Sequence, residues 1–571
     1  MPVLTLLAVA TAATINVPGS QGLSLGAAVD SAKTGDTIVV EPEYDGSDEG
    51  GILVVVDLTI QGGGALLPPI GVLDASLLLV DATIKRADAY FTSSAGFSEA
   101  CPYDTCALLA NKATLTLSGV TVAGMNGAGL YAVNSSVEGS TLLLDHVGSS
   151  WPMHLSNPVV DGTHVFEDLQ FTDNVGPMRV DGVSGSLTIT NSTFSGNTGG
   201  ALVVKTLDSV LGDVVLEEDH ADSGTNLSFV GGTHQLNGLR VDDSSAYNGG
   251  VLTADGGATV VWTGGHVNHV RATQDGGVAR VVDGDVTIKE VQMLDVSASR
   301  GGVARLEPGT TLVLRDLSIH QPAAPDGGTL SIDTANRVEF RSSQVCSPGG
   351  NGSLFQGNPL EFTARNLVVQ NASGQLVAAE SAGHIDFQNV TLLGDGVSAG
   401  IGGTFSQFNL VNTILARFTK ATILGNDPQG SQSYNLYYGN DQDIAGQGGY
   451  GDGDVLEDPL FDNHDALDCA SYPLLQQQSP AVDAGSPELK DSDGLLSDIG
   501  ATGGTDGQYP LNADADTGET TNSETGGPFD PMDDSGAQGL FERQGTSGGC
   551  GHAPLGALGL GLLSLLVGRR R

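Results

Sequence analysis

Two adjacent aspartates, Asp242 and Asp243, precede the glycine pair Gly264-Gly265, which leads into His266, His269 and Arg271. Inverting glycoside hydrolysis needs one carboxyl as acid and a second that positions water, so these residues form the first candidate site. The surrounding text is rich in Asp, Ser and Gly, which also writes a solvated turn, and the turn is the expected role. A second chemistry is abstraction of a sugar C5 proton by Arg or Lys beside carboxylates that hold calcium. Lys205, Lys289, Arg280 and Arg305 are the available bases. Arg280 and Arg305 close the same five-residue text, Gly-Gly-Val-Ala-Arg, at 276–280 and 301–305, which points to a structural ladder rather than a unique site. A third candidate is Asp491-Ser492-Asp493-Gly494 with Asp498 and Asp483 nearby, alternating carboxylates on a glycine turn that suit calcium. No glutamate closes a twelve-residue loop there, so it is not an EF-hand, and an ordinary polar turn is the alternative.

The elements that must carry these residues repeat. Glycine doublets recur at Gly249-Gly250, Gly276-Gly277, Gly301-Gly302 and Gly327-Gly328, then as Asn351-Gly352, at intervals of 25 to 27 residues. After them come short alternating runs such as Val286-Thr287-Ile288, Leu312-Val313-Leu314 and Val338-Glu339-Phe340. Runs this short bury no face alone and must stack on copies of themselves. The expected fold is all-β, a single-stranded right-handed parallel β-helix spanning residues 14–504, with roughly fourteen to sixteen coils of about 25 residues. The text from Gly22 to Lys33 reads as a short capping helix over the open N-terminal end of the solenoid. Asn174, Asn191, Asn197, Asn366, Asn371, Asn389 and Asn412 fall at turns or beside strands. Asparagine tolerates left-handed backbone and stacks into ladders, so these are read as structural.

The chain of 571 residues carries 67 acidic and 23 basic residues, a net charge of −44. That balance excludes a phosphate-backbone footprint, hence nucleic acid, and opposes an acidic polysaccharide unless divalent cations bridge the two. Of five cysteines, Cys101 and Cys106 are close enough to close a small disulfide loop in an exported protein. Cys346 and Cys469 form another if the fold brings them together, and Cys550 is left over.

Residues 1–13 form a short apolar run ending in small residues, Ala10-Thr11-Ala12, and read as a signal peptide. The pattern Val17-Pro18-Gly19, Ala27-Ala28-Val29-Asp30-Ser31-Ala32, Gly35-Asp36-Thr37-Ile38 resembles the N-terminal cap of the pectin-lyase-like parallel β-helix superfamily. Asp458-Pro459-Leu460-Phe461, Ser479-Pro480-Ala481-Val482-Asp483-Ala484-Gly485 and Asp498-Ile499-Gly500 resemble the C-terminal end of secreted bacterial members of that superfamily. Residues 505–549 are nearly devoid of hydrophobics and read as a disordered acidic linker. Residues 550–571 join Cys550, a short apolar run and Arg569-Arg570-Arg571, and resemble a myxobacterial-type C-terminal sorting tail. That resemblance implies Cys550 as the processing or lipid-attachment site, with membrane association through the tail; a simple membrane anchor is the alternative.

The resemblance implies a scaffold and leaves activity open, because the superfamily holds lyases, hydrolases, adhesins and repeat proteins. The expectation is an exported protein, at the cell surface, outer membrane or outside the cell, with a structural, adhesive or binding role toward a polysaccharide or cell-surface ligand. The alternative is a polysaccharide lyase or glycoside hydrolase. An enzyme of this shape needs a groove on one strand face, lined by three or more clustered charged residues and flanked by aromatics. Trp151 and Trp262 are the only tryptophans.

Overall fold

The computed structural model describes residues 12–18, 22–85, 105–159, 162–334, 336–462, 467, 469 and 471–507. The signal peptide up to residue 11, Cys101, the linker beyond residue 507, and the tail with Cys550 lie outside them.

The chain is a parallel β-solenoid of about 17 turns with almost no helix. The driving pattern is strand alternation. In one inward column, Val260, Val286, Leu312, Val338, Phe362, Ile385 and Phe408 are register partners in successive coils, and all are buried. A column two residues on stacks Trp262, Ile288, Leu314, Phe340, Ala364, Phe387 and Leu410 in the same way. Each side chain excludes water only because the coils above and below cover it, so burial belongs to the stack and not to the repeat.

The coil count exceeds the expected fourteen to sixteen for two reasons. Stacking begins at Thr14–Val17, paired with Thr37–Val40, well before the regular repeats. Several coils are also shorter than 25 residues, as from Leu58 to Leu77, Thr114 to Ser136 and Leu187 to Ser209, and they outweigh the long coil from Ser76 to Thr114. A fixed period of 25 therefore undercounts. A helix, Leu25–Ser31, lies within the expected stretch; Ser24 accepts the Ala27 N–H through its side chain at the N-terminus, and Leu25, Ala28 and Val29 are buried against the first strands.

Between strands the chain turns through left-handed residues at equivalent places. His146, Asp173, Glu218, Asp243, His269, Asp295, Gln321 and Ser347 all have φ of 50–54° or 49°, and each donates its N–H to a carbonyl of the next coil. Polar residues accept this geometry at lower cost than β-branched ones, which is why the corners read as Asp, His, Gln and Ser. Asn191, Asn366, Asn371, Asn389 and Asn412 occupy left-handed corners too. Asn174 and Asn197 are instead fully buried: Asn174 accepts the Val147 N–H, and Asn197 accepts that of Asn174.

Cys346 and Cys469 are disulfide-bonded with Cα atoms 5.6 Å apart. The bond ties the C-terminal segment to the coils. Asn366 adds hydrogen bonds to Ala501 and Gly503, Asn389 to Ser497, and Asn412 accepts from Ser486. Cys106 also belongs to a disulfide, while its expected partner Cys101 is outside the described residues. Among the described residues no helix is long and apolar enough to cross a membrane.

Candidate functional site

The sequence-predicted residues are placed as corner and strand neighbours. Asp242 Oδ2 lies 3.2 Å from His266 Nε2, and its Oδ1 accepts from Asn268 Nδ2 at 2.8 Å. Asp243 and His269 are left-handed corner residues of successive coils, 3.6 Å apart through Oδ1 and Nδ1. Arg271 points to Asp295 instead, at 3.9 Å. The structure thus joins Asp242 with His266 and Asp243 with His269, and sends Arg271 elsewhere; Asp243 forms a corner that recurs in neighbouring coils, and Asp242 ends the strand before it.

Asp491, Asp493 and Asp498 are engaged with backbone. Asp491 accepts the Asp498 and Gly504 N–H groups, Asp493 that of Leu495, and Asp498 that of Asp483. Burial, together with the charges of Asp491, Asp483 and Asp493, pushes the Asp498 carboxyl up to about 6. Among the described residues, ligand atoms close enough for one ion occur at Asp145, His146 and Asp173, exposed at the corner row, and at His320 with the two disulfide-bonded cysteines 346 and 469.

A different cluster emerges on one sheet. Its strands include Ala128–Val133, Met153–Asn157, Met178–Gly182 and Leu202–Lys205, stacked in parallel. Met153 and Leu155, and Met178 and Val180, point into the core, so His154, Arg179 and Asp181 must point outward. Register sets Tyr131, His154 and Arg179 in one row, and Asp181 beside Lys205 in the next. His154 Nε2 is 3.0 Å from Asp181 Oδ2, and Arg179 Nε donates to the same oxygen. The Arg179 guanidinium lies 4.5 Å over the Trp151 ring, and the Tyr131 and His154 rings are 5.4 Å apart. Burial would raise the Asp181 carboxyl, but the hydrogen bonds and charges of His154 and Arg179 outweigh it and hold the group below the ordinary range. Its second oxygen, Oδ1, is buried without a hydrogen-bond partner among the described residues. Lys205 forms no ion pair within 4.0 Å among them.

The same outward row continues through Val203, Ser228 and Thr253 to Arg280 and Arg305. The expected ladder of Arg280 on Arg305 is present as register, yet the two arginines do different things. Arg280 pairs with Glu307, whereas Arg305 donates to Ser331 Oγ at 2.9 Å and Asp333 Oδ2 at 2.6 Å. Arg300 grips the buried Asp275 through two hydrogen bonds of 2.6 and 2.8 Å. Lys289 stands on another ladder, between Thr263 and Arg315. The signal for the Trp151 cluster was present: His154 and Arg179 are 25 residues apart, one repeat, at outward positions of strands with apolar alternate residues. The spacing alone does not single it out, because Asp181 and Trp151 join the pair only through the stacking of successive coils.

No protein family matches this sequence, and no curated protein does. Among solved structures the chain is similar to the PL6 family alginate lyase AlyGC, at 10% identity over 78% of this chain and 99% of that one, with a TM-score of 0.19. A score that low carries no argument about activity.

Proposed function

We propose that this protein is an exported, surface-attached β-solenoid that binds polysaccharide along the sheet face bearing Tyr131, Trp151, His154, Arg179, Asp181 and Lys205. The observation that carries the reading is the Arg179 guanidinium held over Trp151 while it and His154 share Asp181. A carbohydrate offers apolar ring faces edged by hydroxyls, and an indole beside fixed donors and acceptors matches both surfaces. Charged groups on strands, locked by their neighbours, are pre-organised, so binding there orders little that is not already ordered. The cluster gathers His154, Arg179, Asp181 and Lys205 on one strand face, with Tyr131 and Trp151 beside them.

A second reading is cleavage at the same place, as lyase or hydrolase, favoured by the His154–Asp181 pair. A carboxylate on one imidazole nitrogen orients the ring for general acid–base work. Both readings are tested by measuring binding and chain cleavage on a panel of neutral and acidic polysaccharides, with and without calcium. Trp151→Ala is expected to weaken binding by tenfold or more; retention of full affinity would sink the site. Turnover abolished by His154→Ala would establish cleavage; binding with no turnover on any substrate leaves the binding role alone.

A further inference from the structure

We propose that the cavity beside Arg305 is a second saccharide subsite, one that takes an uncharged, hydroxyl-rich sugar. This rests on the polysaccharide-binding reading and adds to it a place and a substrate class.

The cavity has a volume of about 620 Å³ and opens on the same outward row as the Trp151 cluster. Five coil steps separate Arg179 from Arg305, roughly 24 Å at a strand spacing of about 4.8 Å. Beyond Arg305 the row runs Ser331, Gln356, Ala378 and Gly402, so it ends in two small residues, with the Gln375 amide packed against Gly402. The wall is polar and fixed. Arg305 is only 7% exposed, and Ser331 and Asp333 hold its two terminal nitrogens. Its Nε–H is itself buried and has no partner among the described residues.

Charge selects the ligand. Lining the cavity are Arg300 and Arg305 against Asp326, Asp333 and Glu380, so the site is net acidic within a chain of net charge −44. Both arginines already hold carboxylates, Arg300 that of Asp275 and Arg305 that of Asp333. An incoming carboxylate or sulfate would meet repulsion with no unpaired cation to receive it. Sugar hydroxyls donate and accept at once, and the carboxylate, amide and guanidinium groups of this wall offer complements to both roles.

The test is calorimetric titration of the folded chain with uncharged trisaccharides (cellotriose, maltotriose, mannotriose and xylotriose) and with trigalacturonate. The expected result is binding of at least one uncharged trisaccharide, weakened tenfold or more by Ala378→Phe, which fills the floor. Gln356→Ala guards against misfolding of the first variant, because it removes only an amide that meets Asn351 at 3.5 Å, and it is expected to weaken binding in the same direction. The proposal is overturned by binding of trigalacturonate alone, by uncharged binding indifferent to both groove variants, or by no binding at all. Polymer binding lost in Trp151→Ala and untouched by Ala378→Phe would remove this subsite and leave the first reading standing. Groove-dependent trisaccharide binding with a silent Trp151→Ala in the polymer assay would keep the subsite and remove the Trp151 site.

Discussion

Asp219 shows what a single atom decides. It follows Asn174 and Asn197 in a buried row: Asn197 donates its backbone and side-chain N–H groups to Asp219 Oδ1, while Oδ2 has no partner among the described residues. Asn174 and Asn197 use their side-chain amides to reach the Leu144 and Phe171 carbonyls, and Asp219 has no such donor once ionised. Burial pushes its carboxyl up to about 7, against 3.8 when unfolded. Between those values the folded state keeps a proton that the unfolded state has released, so stability is full below the lower value and declines as pH rises through about 7. Asp219→Asn supplies the missing donor in the same shape, and is expected to melt at a higher temperature than the parent at pH 8, with the gap closing by pH 4. An equal gap at both pH values would refute the assignment. His164 acts with the opposite sign: burial lowers it to about 4, so its contribution is lost as pH falls from 6.5 toward that value, and this acid limb should survive in Asp219→Asn. Asp219 lies in polar text and carries no mark of burial, whereas His164 is marked only by its alternation with Phe166 on the same strand.

At the scale of elements, the corners were readable and the strap was not. Left-handed corners at Asp243 and His269 follow from residue type, because Asp, Asn, His and Gly are the residues that tolerate positive φ. The chemistry that suits Asp243 to catalysis also suits it to a corner, whereas Asp242 ends a strand opposite Asn268 and reaches His266 only through its side chain. The C-terminal segment is held by a bond spanning 123 residues. No local pattern in the sequence identifies which cysteines meet across such a distance. Its removal by Cys469→Ser releases a constraint worth about 2–4 kcal/mol in typical cases. Because a solenoid loses structure by sections, the loss is expected locally, as faster hydrogen exchange in residues 471–507 with protection near Val260 and Val286 unchanged. Unaltered exchange in the segment would mean that the asparagine contacts alone hold it.

At the scale of the whole molecule, the thin stacked core leaves long, regular sides for display, and the proposed attachment places those sides outside the cell. Cys550→Ala is expected to release the protein into the medium or alter processing of its tail, read by fractionation and intact mass; unchanged retention and mass would remove the attachment reading. The sequence by itself determined the solenoid, because glycine doublets, strand alternation and polar corners are local and repeat at a near-constant interval. It also determined the acidic field, a net charge of −44. The tertiary structure decided the coil count, the Cys346–Cys469 bond and the side-chain contacts at the proposed sites. Variable coil lengths shift register by amounts that no fixed period reveals, and register is what sets His154 on Arg179, Lys205 beside Asp181, and Arg305 on the row that ends in Ala378 and Gly402. A functional face on a solenoid is a property of neighbours one coil apart, and those neighbours are fixed only when the coils stack.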